Sequence, residues 1–302
     1  MNLARNIPQR GAALMLAMWA LFLLSAMVVS WAIDIDQRLD LNGNASRVLE
    51  AQAMAASGGD IAMHPAIKPG SPLLRGGVSR SQTFEARITG EGGRLNVNWI
   101  VAGENPVRLE LLRKYLEVKG IDLNERDRMI DSLLDWVDPD NLVRLNGAED
   151  EGDYRPTNTL LARIDDLKRV AGWADFTSQA DWDSELTVNS TGPVDLAWAS
   201  RDLMLALPGM TEPVVDQFIQ LRSGPDEMQG TDDDPEFKTL DDVRVALGFT
   251  TEQYKAIAPL VGFKDQFVRV VSVGKSGDVT RVVQMVIRKA GNVPQLITWK
   301  EL

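Results

Sequence analysis

The stretch Arg10-Gly11-Ala12-Ala13-Leu14-Met15-Leu16, running on to Ser30-Trp31-Ala32-Ile33, decides how the rest of the chain is read. No charged residue occurs between Ala12 and Ile33. At about 1.5 Å rise per residue, a helix over this run covers the roughly 30 Å hydrocarbon core of a bilayer. The leader, residues 1–11, carries Arg5 and Arg10 and no acid, whereas Asp34, Asp36 and Asp40 follow the run. That asymmetry predicts a cytoplasmic N-terminus and export of the remainder. Three readings compete. A removable secretory signal finds a small-x-small site at Ser30-Trp31-Ala32, but the run is long for one. A plain anchor fits the length and gives Gly11 no role. A leader cut after Gly11, with the apolar helix retained, accounts for both.

Working outward, composition narrows the chemistry. With 302 residues, 44% hydrophobic and 25% charged, the chain has the make-up of one large or two to three small folded domains. A net charge of −11 argues against nucleic acid as the main partner and is compatible with cation binding. Without cysteine there is no disulfide, thiol nucleophile or thiolate metal site. The single histidine, His64, precedes Pro65 in a loop-like stretch, so histidine triads and zinc sites have little to draw on.

Beyond the membrane run, Leu39, Leu41, Ala45, Val48, Leu49, Gln52 and Ala56 recur at helical spacing, which predicts one long helix. Gly43 invites a kink and Gly58-Gly59 a C-terminal stop. Residues 60–81 read as loop. Phe84, Ala86 and Ile88 alternate with Thr83, Glu85 and Arg87, a half-buried strand over 82–89, and 94–98 reads as a second extended piece. Residues 100–262 read as helical throughout. Helices are predicted at 107–118 and 123–137 (capping box Asp122/Glu125). Glycine corners then join helices at Leu207-Pro208-Gly209-Met210 and at Gly248-Phe249-Thr250. The end changes period: 267–273, 279–288 and 295–299 form a Val- and Ile-rich meander. The divisions are thus 1–11 leader, 12–33 membrane segment, 34–99 first part of an α/β domain, 100–262 helical insertion and 263–302 closing strands.

Two acidic clusters stand out. Asp135, Asp138, Asp140, Glu149, Asp150 and Glu151 form the first; Asp232, Asp234 and Glu236 form a weaker second. Calcium takes six to eight oxygen ligands, which clustered carboxylates on glycine-containing loops supply, although neither cluster has EF-hand spacing. A solvated acidic loop is the alternative. The 207–210 corner has the form of a helix-hairpin-helix, whose amides can hold phosphates. Asp202, Glu212 and Asp216 surround it, so a packing corner fits the charges better than a DNA contact.

These pieces together resemble the minor pseudopilin K family of type II secretion systems. The resemblance is carried by Gln9-Arg10-Gly11-Ala12, Glu91-Gly92-Gly93-Arg94-Leu95-Asn96-Val97-Asn98 and Leu133-Leu134-Asp135-Trp136-Val137-Asp138. Gly147-Ala148-Glu149-Asp150, the 207–210 corner and the closing Trp299-Lys300-Glu301-Leu302 add to it. Most pilin-like subunits carry Glu at the fifth residue of the mature chain; here that is Leu16, and the departure is itself a trait of the K family. The resemblance implies a non-enzymatic α+β protein. A long N-terminal helix lies on a small antiparallel sheet, with an all-helical, SAM-like or helix-hairpin-helix insertion. It implies cleavage after Gly11 by prepilin peptidase, methylation of Ala12 and calcium in the acidic loops. It also implies an inner-membrane location at the pseudopilus tip, with minor pseudopilins I and J and the major pseudopilin as partners. The rival reading is a membrane-anchored receptor for DNA or another polymer.

Overall fold

The computed structural model describes residues 10–227, 229–231, 233–235, 237, 239–263, 265–291 and 293–302, with the side chains of 10–12 and 36–42 excepted. Helix α1 spans Arg10–Met63 without interruption, 54 residues. Its segment Ala13–Ile35 has a mean hydropathy of 2.3 and no residue buried against the rest of the chain, as a lipid-facing span requires. The helix is continuous through Gly43, where a kink was expected. It also runs past Gly58-Gly59, which was expected to end it.

The reason is packing. Strands β1 (Arg75–Gly77) and β2 (Gln82–Gly90) lead into a run of short elements, described below, that ends with β7 (Phe267–Ser276), β8 (Val279–Arg288) and β9 (Gln295–Glu301). The five strands β1-β2-β7-β8-β9 pair antiparallel in that order. The second half of α1 lies on one face of this sheet. It presents Ala51, Ala55, Gly58, Gly59 and Ala62, all buried, rather than the expected larger residues; Leu49 points into solvent, 67% exposed. A Cβ at Gly58 would strike Ser272 Oγ and stand 2.8 Å from a Phe84 ring carbon, and one at Gly59 would strike the Met285 methyl. One at Gly274 on β7 would strike the backbone of Ala51 and Ala55. These glycines serve close approach of helix to sheet, not termination. Ala86, Ile88, Val270, Val283, Met285 and Ile287 complete this core. At the end of the contact the Glu50 carboxylate accepts from Ser276 Oγ at 2.6 Å and Gln82 Nε2 at 2.9 Å.

Between β2 and β7 the chain builds a second body. It comprises β3 (Leu95–Asn96), α2 (Val97–Val101), α3 (Pro106–Val118), α4 (Leu123–Val137), α5 (Ala174–Thr177), β4 (Leu186–Thr187), β5 (Val194–Asp195), α6 (Arg201–Leu205), α7 (Glu212–Arg222), α8 (Leu240–Ala246), α9 (Thr251–Ile257) and β6 (Val261–Gly262). Helix starts follow local chemistry: Asp122 accepts from the amides of Asn124 and Glu125, and Thr250 and Gln253 form a reciprocal capping box. The region is not helical throughout. β3 pairs parallel with β4, and β5 with β6, while 138–173 is mostly turns and coil. The expected strand at 94–98 shrinks to two residues because Asn96 caps α2, its side chain accepting from the Trp99 amide. Trp136, Trp173, Tyr115 and Phe218 anchor this core.

One buried ionic joint connects the two bodies. Glu91, just after β2, takes a two-pronged contact from Arg269 on β7, both bonds at 2.8 Å. The Thr187 hydroxyl donates to the same carboxylate, and Arg94 approaches it at 3.3 Å. Arg94 also donates from Nε to the Ser184 carbonyl at 2.9 Å, tying the turn just before β4 to the group. Burial, and after it the neighbouring Arg269 charge, lowers the Arg94 pKa to about 10.

Two outcomes follow from this packing. Gly274→Ala is expected to cost about 1–3 kcal/mol, the penalty for overpacking, read from urea unfolding of the full chain in detergent micelles; an unchanged midpoint would mean the helix can lift off the sheet. Glu91→Gln leaves two buried guanidinium groups short of charge and is expected to cost about 3–5 kcal/mol; in the same titration a shift below 1 kcal/mol (about the worth of an exposed pair) would refute a structural role for the joint.

Candidate metal site and relatives

Helix α4 ends at Val137, and its last turn sets Asp135 inward, fully buried. Asp138 follows as the C-cap residue. The chain then loops out and returns so that Glu149 faces both. One carboxylate oxygen from each of Asp135, Asp138 and Glu149 lies within 4.8 Å of the other two. The return is held by Asn146, whose amide and side chain both donate to Asp131 Oδ2, at 3.1 and 3.0 Å. Gly147 packs so tightly that a Cβ there would strike Asp135 Oδ2. Farther on, Tyr154 stacks at a tilt on Trp136 and its hydroxyl accepts from the Ala171 amide at 3.2 Å.

Charge compensation within this cage is incomplete. Arg144 Nη1 donates to Asp135 Oδ1 and to Asp138 Oδ2, and its backbone amide donates to Asp135 Oδ2 at 3.2 Å. Both Glu149 oxygens and Asp138 Oδ1 are buried with no hydrogen-bond partner. Burial, then the charges of Asp135, Asp138 and Asp140, raise the Glu149 pKa above its ordinary 4.5. Buried, unpartnered carboxylate oxygens converging on one point fit a hard cation, which prefers anionic oxygen ligands.

Of the six carboxylates singled out in the first cluster, these three come together. Asp140 turns to the amide of Leu142 at 2.8 Å, Asp150 pairs with Arg155, and Glu151 is exposed beside a local bridge to Tyr154. In the second cluster Asp234 joins Asp226 and Asp233, whereas Asp232 and Glu236 lie outside the described residues. There Asp233 accepts from Thr231 Oγ1 at 2.6 Å and from the Asp226 amide at 3.2 Å, and Asp234 Oδ1 is buried and unpartnered. Asp233 belongs to the acidic run 232–236 of the second cluster, whereas Asp226 and Arg144 were not singled out by the sequence. Asp226 announces itself only as an acid beside Gly224, and Arg144 gives no local signal.

The 207–210 corner buries Leu207 and Met210. Arg201 beside it pairs with Asp216 at 2.7 Å and Glu212 at 3.1 Å. Gly11 and Ala12 fall within α1 and their side chains are not described.

The arrangement thus far defines a class: a pilin-like α+β protein, with a long N-terminal helix laid on an antiparallel sheet and a second body, carrying the acidic cage, set between two of its strands. Residues 93–180 match the family model described as type II secretion system (T2SS), protein K, and they contain the whole first cage. A curated relative, type II secretion system protein K of Dickeya chrysanthemi, is 32% identical over 69 residues, 22% of this chain and 20% of the relative. The match therefore spans about a fifth of that relative's length. A chain in the crystal structure of the GspK-GspI-GspJ complex from the enterotoxigenic Escherichia coli type 2 secretion system shares the fold. That likeness has a TM-score of 0.60 and 12% identity, over 88% of this chain and 97% of that one. Segment 93–180 is thus similar to type II secretion protein K, and it is carried on a fold that a chain of that complex shares.

Proposed function

We propose that this chain is the K-type minor pseudopilin of a type II secretion system, a structural subunit that sits at the tip of the inner-membrane pseudopilus and supports protein export. The observation that carries the reading is one of placement: a segment that matches the protein K model lies between β2 and β7 of a sheet that packs on a helix long and apolar enough to cross a membrane. Arg5 and Arg10 hold the leader in the cytoplasm, prepilin peptidase cuts after Gly11, and the bulk of the chain lies on the periplasmic side. The fold shared with a chain of a GspK-GspI-GspJ complex supports minor pseudopilins I and J as neighbours, with the major pseudopilin below. Corners such as 207–210 serve as SAM-like or helix-hairpin-helix packing units within the insertion.

Two physical arguments favour the tip. Leu16 stands, exposed on the apolar span, where pilin-like subunits carry a carboxylate that pairs with a neighbour's terminal amine. A subunit lacking that neighbour would leave such a charge unpaired, at about 2.5–3.5 kcal/mol on insertion scales; leucine removes the cost. The insertion also adds a second body to the sheet domain, which leaves no seat for a further subunit above. Labelled protein is expected at one end of assembled pseudopili; label along the whole shaft would refute the tip assignment.

Asp135, Asp138 and Glu149 are the residues that would hold calcium, with Asp226, Asp233 and Asp234 as a second, weaker set. Bound calcium would supply the positive charge that neutralises these carboxylates and order the loop between Asp138 and Tyr154. Millimolar calcium is expected to raise the unfolding temperature of the full chain in micelles, by about 2.7 kcal/mol in stability at one hundred times Kd. An unchanged melting curve would return the clusters to plain acidic loops.

A further inference from the structure

The arginine inside the first cage has a consequence for how a cation enters it. Arg144 engages both oxygens of Asp135, Oδ1 through Nη1 and Oδ2 through its own amide. The same Nη1 donates to Asp138 Oδ2. What stays open is Asp138 Oδ1 and the two Glu149 oxygens. With those three oxygens alone, calcium would draw the rest of its six to eight ligands from backbone carbonyls and water and leave Asp135 outside its sphere. To recruit Asp135 Oδ1 or Asp138 Oδ2 the ion must displace the guanidinium, because a divalent ion and a guanidinium sharing one carboxylate pair repel across a few ångströms of partly dehydrated protein. The displaced group has somewhere to go. Arg144 Nη2 already holds Glu104 Oε1 at 2.7 Å, and Glu104 is 55% exposed, outside the cage.

We infer that Arg144 is a built-in competitor for the cation: its guanidinium occupies the carboxylates of Asp135 and Asp138 in the ion-free chain and gives them up, swinging toward Glu104, when a divalent ion binds. The inference rests on the calcium reading above and adds a determinant of affinity to it. In the ion-free protein Arg144 offsets charge that would otherwise make the Asp135–Asp138–Glu149 group self-repelling. The cost of removing it is then subtracted from the binding energy of the ion. Arg144 is accordingly a positioning and affinity-setting residue rather than a ligand. Lysine at this position keeps one charge but lacks the planar fork that bridges two carboxylates.

The test is calorimetric titration of calcium chloride into the full chain in detergent micelles, for wild type, Arg144→Gln and Arg144→Lys, paired with melting curves at zero and millimolar calcium. Competition predicts that Arg144→Gln binds about tenfold more tightly than wild type (about 1.4 kcal/mol) and that Arg144→Lys falls between. It also predicts a lower melting temperature for ion-free Arg144→Gln and a larger calcium-induced rise. Equal or weaker binding by Arg144→Gln, with wild type still binding, would leave the calcium site standing and overturn the inference. Heat of binding in none of the three would remove the calcium reading and this inference together. Should ion-free Arg144→Gln fail to fold, Arg144→Lys decides the matter through the same two readouts.

Discussion

The contact between Glu91 and Arg269 lies where the sheet meets the body inserted between β2 and β7. Both side chains are withdrawn from water, and each is expensive there unless fully matched. Matching is nearly complete: Arg269 meets the carboxylate with two parallel bonds, and Thr187 and Arg94 add to it. A greasy contact at the same place would tolerate sliding. A two-pronged ion pair tolerates little, since a small displacement leaves a charge without a partner. The joint thereby sets the orientation of the inserted body on the sheet through Thr187 of β4 and, by way of Arg94, through Ser184 just ahead of it.

The same logic runs through the acidic cage with the opposite balance. At the joint, one buried acid meets two arginines. In the cage, three acids meet one arginine, and an acid is left over. The first arrangement is closed and structural. The second is open: burial and the charges of Asp135 and Asp138 bear on Glu149, whose two oxygens find no hydrogen-bond partner. Position in the chain explains why one is closed. Glu91 sits where two bodies must meet, whereas Glu149 sits on a loop that only needs to return.

Much of this was legible in the sequence, and the boundary of legibility follows the range of the forces involved. Strand β2 declares itself through alternation, β7, β8 and β9 through Val- and Ile-rich runs parted by turns, and α4 and α9 through capping residues a turn away. The membrane span is a matter of composition alone. Gly58-Gly59 misleads because a glycine pair means termination or close approach, and only Ser272, Phe84 and Met285, far along the chain, decide which. The two-residue strands Leu95–Asn96 and Leu186–Thr187 exist only because they find each other. Within the cage, Asp135 and Asp138 were readable as acids beside an apolar helix. That Glu149 joins them while Asp150 turns away to Arg155 is set by Asn146, Asp131 and Gly147, which no local pattern reveals.

Helix α1 carries a mechanical implication. Fifty-four residues in one unbroken helix make a rod of about 80 Å, with lipid around one end and the sheet clamped along the other. Along its axis such a rod is stiff, since every turn is braced by hydrogen bonds to the next. At Gly43 no atom beyond the helix's own backbone lies within 4 Å of where a side chain would begin, and the helix stays continuous there. A thrust along that axis is therefore passed to the sheet, and through Glu91 to the inserted body. The molecule is built as a strut.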